Sequence, residues 1–298
     1  MLVESLKDVS FDLNAYEKYL EVWLRGIRSE IGFWRRTMEM KIPDKRGWTL
    51  SDRPCDIEIE RFLEPLEKTM CIDIGSGPFV ISGDKTDKTK LHFTAVDPLA
   101  YCYKALRKKY KYTAGIAPEY CMVERLTEKF GKETFDIVHM KNALDHAFNP
   151  VLGIMQMMSI CKKGGKIILR HTKREAEKEN YRGFHQWNLD SENDDFIIYR
   201  RDDKYNVSKM FCEYANIIVE AHTPEYYLTV VLTKERDVEI DAVLQNTLQK
   251  ILDEKIFERL LEYAFLEAYS IKENVISIIN RIPVLGPIAQ KIYRICGG

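Results

Sequence analysis

Two carboxylates and two glycines carry the first chemistry in this chain. The run Cys71-Ile72-Asp73-Ile74-Gly75-Ser76-Gly77-Pro78-Phe79 leads an apolar segment into Asp73 and then places two glycines one residue apart. A second run, Leu91-His92-Phe93-Thr94-Ala95-Val96-Asp97, ends in another carboxylate 24 residues after Asp73. Glycine tolerates positive φ and carries no Cβ, so such a turn lets backbone approach a ligand closely. A carboxylate closing the next strand can take both hydroxyls of a ribose. The pattern is that of a nucleotide-type cofactor site at the edge of a parallel sheet. A dinucleotide needs a third glycine and free backbone N–H groups for its pyrophosphate. Here Val80 stands at the third glycine position, and Pro78, which has no N–H, follows Gly77. Both departures favour a cofactor that lacks phosphate and bears a positive sulfonium, for which Asp73 is a suitable neighbour.

The elements that must position these residues follow from periodicity. Apolar residues recur at helical spacing over 14–40, and Pro43, Gly47 and Pro54 mark a connection. A helix is expected over Ile57 to Leu66. Strands are expected at 70–74, 91–96, 119–122, 135–140 and 166–171, and helices at 99–110, 124–130, 150–161 and 206–215. Alternation of this kind means βαβ units and a parallel sheet. Ile217 to Ala221 and Tyr226 to Leu232 then read as an antiparallel hairpin. Only twelve residues, Phe79 to Lys90, separate the glycine turn from the second strand. A crossover helix barely fits there, so a short or missing helix is predicted. The fold class expected is α/β: a doubly wound, mostly parallel seven-stranded sheet with an antiparallel last strand, an N-terminal helix and a helical C-terminal tail. The divisions are an N-terminal helical cap over 1–54, a cofactor-binding domain over 55–236 and a helical extension over 237–298.

Bulk properties narrow the classes. A net charge of −1 offers no global basic field for nucleic acid. The seven cysteines (55, 71, 102, 121, 161, 212 and 296) are scattered without any Cys-x-x-Cys, which fits reduced thiols in a cytoplasm better than a zinc ribbon or a disulfide framework. The first dozen residues hold no apolar signal core, and no uncharged run approaches the ~20 residues that span a bilayer. A cytoplasmic protein is expected. The tail from Val238 is amphipathic, and Pro283 to Cys296 has an interfacial composition, with Lys291 and Arg294 its only charges. Packing on the domain, homodimer formation and peripheral contact with the inner membrane face are the alternatives for it.

Four segments, in order, resemble the class I S-adenosylmethionine-dependent methyltransferases: Asp73 to Gly77; Ala95-Val96-Asp97-Pro98; Phe135-Asp136-Ile137-Val138 running into Asn142-Ala143-Leu144-Asp145-His146; and Lys162 to Leu169 with Gly164 and Gly165. The resemblance spans roughly residues 55–233. Tyr181-Arg182-Gly183-Phe184-His185-Gln186-Trp187-Asn188, preceded by His171 and Glu175, is similar to a segment of methyltransferases of surface-polysaccharide biosynthesis. The resemblance implies S-adenosyl-L-methionine as cofactor. Gly75, Ser76 and Gly77 would line it, Asp73 would lie near its methionine part, and Asp97 with Pro98 would hold the ribose. Asn142 and Ala143 would face the methyl group. The family's adenine-binding carboxylate has no direct counterpart: Met122-Val123-Glu124 stands there, with Met122 placed to pack on adenine.

For that chemistry a hydroxyl acceptor must lose a proton, and histidine is the usual base near neutral pH. His185 is the first candidate for base or acceptor contact, and His146 with Asp145 the second; a structural loop histidine and a helix-start cap are the bland alternatives. His139 is expected to pack inside its strand. Tyr181, Gln186, Trp187, Asn188 and His171 are expected to bind the acceptor. A metal held by Asp145, His146 and His185 is the alternative to acid–base work by this group; none is assigned, since magnesium prefers carboxylates and water oxygens to histidine. The basic run Arg107-Lys108-Lys109-Tyr110-Lys111 reads as a solvated helix face, with a phosphate contact as the alternative. The expected activity is methyl transfer (EC 2.1.1.-), as O-methylation of a sugar or sugar-derived acceptor in surface glycan biosynthesis. A small phosphorylated or amine acceptor, or a non-catalytic cofactor-binding scaffold, is the alternative. The expected partners are a small molecule or glycan and no nucleic acid.

Overall fold

The computed structural model describes residues 2–6, 9, 13–49, 53–201, 203–222, 226–240, 256 and 259–263. In chain order the elements are β1 (Leu2–Val3), α1 (Leu13–Glu39), α2 (Ile42–Lys45), α3 (Ile57–Glu60), β2 (Lys68–Ile74), β3 (Lys90–Asp97), α4 (Ala100–Lys109), β4 (Glu119–Tyr120), α5 (Leu126–Phe130), β5 (Phe135–Lys141), α6 (Pro150–Ile160), β6 (Cys161–Thr172), α7 (Glu175–Lys178), β7 (Asn188–Glu192), β8 (Asp195–Arg200), β9 (Asp203–Asn206), α8 (Val207–Phe211), β10 (Ala215–His222) and β11 (Tyr227–Lys234). Short 3-10 turns at Val123–Arg125 and Leu144–His146 interrupt the loops after β4 and β5.

The main sheet has seven strands in the order β10-β11-β6-β5-β2-β3-β4. Strands β2 to β6 pair in parallel, β11 pairs antiparallel to β6, and β10 antiparallel to β11. The expected fold class is therefore present. The chain steps outward from β2 to β3 and β4, then returns to the other side of β2 as β5. That reversal opens a crevice at the carboxyl ends of β2 and β5, where open α/β sheets bind ligands. Register does the fine placement: Asp73 of β2 sits opposite His139 of β5.

The interior explains the local choices. All eleven residues of α6 are buried, so its face cannot be told from its back. It starts where the Asn149 side chain accepts a hydrogen bond from Leu152 N at 3.0 Å, with Pro150 in the first turn. Leu20, Trp23, Ile27, Ile31 and Met38 of α1 join the same core as the sheet residues Ile72, Val96 and Val138. The stretch after the glycine turn contains no helix, as its length predicts, and runs irregularly to β3.

Several expected elements are shorter. The helix over Ile57 to Leu66 is a single turn, α3, because Pro65 cannot donate and disfavours helix at Glu64. The strand at 119–122 is only β4, and the helix at 206–215 gives way at Ala215 to the β-branched run of β10. A second sheet, in the order β1-β9-β8-β7, was not anticipated. Its hairpin turns at Asn193 and Asp194, with φ of 50° and 65°. Asn and Asp tolerate that left-handed pair, and flanking Leu189 and Phe196-Ile197-Ile198 supply strands.

Arg107 corrects the reading of the basic run. It is buried and donates to Pro78 O at 2.8 Å and to Ala114 O and Gly115 O, while its guanidinium lies over the Phe79 ring at 4.9 Å. It clamps the glycine turn from behind. The amphipathic tail and the segment 283–296 lie outside the described residues, except Val238 to Ile240, Ile256 and 259–263. Among the described residues no helix is long and apolar enough to cross a membrane.

Candidate functional site

A cavity of about 420 Å³ occupies the crevice between β2 and β5. At one end the backbone turns sharply after β2. Gly75 and Gly77 have φ of 65° and 63°, a region that other residues enter at a cost. Gly75 N donates to Val96 O at 2.8 Å, which ties the turn to β3. A Cβ at Gly75 would overlap Ala143, so the segments after β2 and β5 touch only because this residue is glycine. A Cβ at Gly77 would come within 2.8 Å of the Trp34 ring, which roofs the turn.

Asp97 joins this end. Its Oδ2 accepts from Gly77 N at 3.0 Å and its Oδ1 from Leu99 N at 2.7 Å. Burial pushes its pKa up to about 7 although both N–H groups pull the other way. Asp73 Oδ1 lies 2.9 Å from His139 Nδ1, the pair that register predicts; His139 is a packed strand residue that also reaches the cavity wall. Met122 and Val123 are buried and line the same wall. Glu124 is buried there too; its Oε1 accepts from Asn149 N at 3.1 Å, its Oε2 has no partner, and burial raises its pKa to about 7. Ser76, Pro98 and Asn142 complete this end.

At the other end three side chains converge. Asp145 Oδ2 lies 2.7 Å from His185 Nδ1 and 3.5 Å from His146 Nε2, and the two ring nitrogens are 3.2 Å apart. Asp145 is buried, which favours its neutral form, but His146 and His185 outweigh that and hold its pKa below the usual range. Burial pulls His185 down, yet the hydrogen bond and charge of Asp145 leave it raised. Residues 145 and 146 belong to the 3-10 turn after β5, and His185 to the loop before β7. Gln186 N donates to Asp145 O at 3.2 Å and fixes that loop against the turn.

The loop 181–188 splits in a way its sequence does not show. Phe184 and His185 face the cavity. Tyr181, Gln186, Trp187 and Asn188 do not line it, contrary to expectation, because each is spent on bracing. Gln186 Nε2 donates to Tyr181 O and Gly183 O, each at 3.0 Å. Trp187 is buried, donates to Ala147 O at 3.0 Å and stacks under the Arg200 guanidinium. Asn188 bonds Tyr181 OH and Glu177 N. His171 is likewise buried away from the wall; burial drives its pKa down to about 3 and keeps it neutral. None of these five lines the cavity.

Several wall residues went unnoticed in the sequence. Trp23, Glu30, Phe33 and Trp34 of α1 roof the cavity, and Glu175 of α7 borders the histidine end. Trp34 Nε1 donates to Glu30 Oε1 at 2.8 Å, and Trp23 Nε1 to His146 O at 3.1 Å. Trp23 also stacks on Phe184, ring centroids 4.6 Å apart, and Gly26 allows that approach, since a Cβ there would meet Phe184 at 2.6 Å. The available signal was Phe33 beside Trp34, aromatic residues off the main apolar stripe, one of them 51% exposed.

No protein-family model and no curated protein matches the chain. Solved structures do. The CurJ carbon methyltransferase is 12% identical over 59% of this chain and 50% of its own, with a TM-score of 0.38. A SAM-dependent methyltransferase from Thermotoga maritima is 14% identical over 75% of this chain and 96% of its own, at 0.39. An S-adenosylmethionine-dependent methyltransferase from Mesorhizobium loti is 11% identical over 59% and 95%, also at 0.39. These three structures are methyltransferases. The chain spans about half the length of the first. At these scores the likeness assigns no activity to this chain.

Proposed function

We propose that this chain is an S-adenosylmethionine-dependent methyltransferase. The observation that carries the reading is the pairing, in one cavity, of the Asp73–Gly77 turn and Asp97 with the Asp145–His146–His185 cluster. The turn suits a sulfonium nucleoside: Pro78 removes an N–H that a phosphate would want, while the Asp73 and Asp97 carboxylates suit an ammonium or sulfonium and a ribose. Met122 and Val123 give an apolar wall for a base, and Glu124 Oε2 is a free acceptor beside them. Asn142 and Ala143, between the two ends, adjoin the transferring methyl group.

Transfer is an in-line displacement. The sulfur–methyl bond breaks as the acceptor–methyl bond forms, S-adenosylhomocysteine leaves, and the acceptor hydroxyl gives up its proton. Positioning supplies much of the rate because the sulfonium is already a good leaving group. The cluster is the group best placed to activate the acceptor: with His185 Nδ1–H donating to Asp145, the other ring nitrogen carries a lone pair for that proton. We assign the acceptor to the sugar or sugar-derived class, on the likeness to surface-polysaccharide methyltransferases of the 181–188 segment, of which Phe184 and His185 line the cavity. The test has two parts. Calorimetry should show binding of S-adenosylmethionine and S-adenosylhomocysteine and none of NAD. A screen of nucleotide-sugars, phosphorylated metabolites and amines, followed by S-adenosylhomocysteine release, should single out the sugars. Binding of NAD in preference would overturn the cofactor assignment, and turnover confined to amines would overturn the acceptor class.

A further inference from the structure

The acceptor end of the cavity gathers ligand-type atoms more closely than hydrogen bonding alone requires. Three lone-pair atoms, Asp145 Oδ2, His146 Nε2 and His185 Nδ1, converge within 3.5 Å of one another. One proton on His185 Nδ1 satisfies Asp145 and leaves His146 Nε2 facing an N–H already engaged. A second proton, on His146 Nε2, has only the long 3.5 Å contact to Asp145 Oδ2 for an acceptor. The charge around them is one-sided as well. Glu175 and Glu30 line the same cavity and act on His185 from nearby, and Glu175 Oε2 is buried with no hydrogen-bond partner.

We propose that Asp145, His146 and His185 hold one divalent transition-metal ion. The distances fit. Bonds of about 2.0–2.1 Å to nitrogen and oxygen, meeting at angles between octahedral and tetrahedral, put neighbouring ligand atoms roughly 2.9–3.4 Å apart. The three separations here are 2.7, 3.2 and 3.5 Å, so the Asp145–His185 contact has to open and the Asp145–His146 contact to close, each by a few tenths of an ångström or less. A point about 2.1 Å from all three atoms lies about 1 Å outside their plane, which leaves further coordination positions open. The histidine side chains are 21% and 30% exposed, so solvent reaches the cluster. Two imidazoles and one carboxylate select a transition metal such as zinc, manganese or iron(II) over magnesium or calcium.

The role of the ion rests on the methyl-transfer reading; its binding does not. An acceptor oxygen bound at an open position becomes more acidic. The ion then takes over the activating role from the histidines. The oxygen–hydrogen bond breaks, its proton passes to Glu175 or to water, and the oxygen pair attacks the methyl carbon as the sulfur leaves with its electrons. No oxidation state changes.

The test uses full-length protein dialysed against chelator and titrated with Co(II). One equivalent should bind and give a visible absorption spectrum. Proton spectra of the wild type should then show two hyperfine-shifted, exchangeable N–H signals, one from each coordinated imidazole. His146→Gln and His185→Gln should each weaken cobalt binding by more than about tenfold, since even outer-shell changes cost that much. Retained S-adenosylmethionine binding would show that these variants are folded. Absence of the two shifted signals in the wild type would sink the site without any variant, as would undiminished cobalt binding by both variants. Cobalt binding without S-adenosylmethionine binding would leave the metal site standing and remove the methyl-transfer reading; the reverse pattern would do the opposite.

Discussion

The two ends of the cavity are built by different means. The Gly75–Gly77 end is held by backbone: two left-handed glycines, N–H groups donating to Asp97 and Val96 O, and strand register placing Asp73 against His139. The Asp145–His185 end is held by side chains from segments 40 residues apart, tied by a bond between Gln186 N and Asp145 O. A backbone-built end is most sensitive to substitution of its glycines. A side-chain-built end has the opposite sensitivities. Substitutions that spare α1, the one helix resting on both, should therefore leave the other end intact.

The largest separation is expected for His185→Ala. Turnover should fall by about 10²–10⁴-fold, the usual weight of an acid–base or activating group, with S-adenosylmethionine affinity unchanged within a few-fold. Calorimetry beside steady-state kinetics checks this, and a matching loss of donor affinity would break the contrast. Next comes Gly77→Ala, where positive φ and the Trp34 ring both resist a methyl group. Strain of about 1–3 kcal/mol is expected, seen as a lower denaturation midpoint together with weaker donor binding. Arg107→Met removes the clamp on the same turn and should cost about 2 kcal/mol in chemical denaturation while the histidine end stays assembled. Trp187→Phe loses one buried hydrogen bond, costs about 1 kcal/mol, and should leave the acceptor KM unchanged, because the ring braces the loop and does not line the cavity.

The donor end also responds to pH. Asp97 and Glu124 have folded-state pKa values raised to about 7, above their unfolded values of roughly 4. Between those limits the folded chain holds protons that the unfolded chain has released. Unliganded stability should thus decline as pH rises through that window, and Glu124→Gln should flatten the slope. S-adenosylmethionine affinity should move the other way and strengthen as Asp97 ionises near pH 7, since a carboxylate accepts ribose hydroxyls better than an acid does. Denaturant titrations and calorimetry at several pH values measure the two trends separately.

The same contrast explains what was legible in the sequence. Asp73, Gly75, Gly77 and Asp97 announce themselves because a strand, a turn and a strand-ending carboxylate are local patterns. The missing crossover helix followed from a count of residues. Asp145, His146 and His185 meet in the sequence only as a disfavoured metal set, because their contact depends on how a loop folds back, which no spacing encodes. Tyr181, Trp187 and Asn188 misled for the same reason, since polar aromatic residues in a loop look alike whether they meet a ligand or the protein. Arg107 was hidden by its neighbours in a basic run, of which it alone turns inward. The roof of α1 escaped because its tryptophans are indistinguishable by type from core residues.

That roof touches both ends. Trp34 lies over Gly77, and Trp23 bonds His146 O and stacks on Phe184, eleven residues earlier on the same helix. A rod resting on two supports cannot be lifted at one without loading the other. If a donor seated at Gly77 shifts Trp34, the work done reaches the acceptor loop as a change in its affinity. The acceptor must then alter donor affinity by the same factor. Two compartments built by unlike means would thus share a single lever.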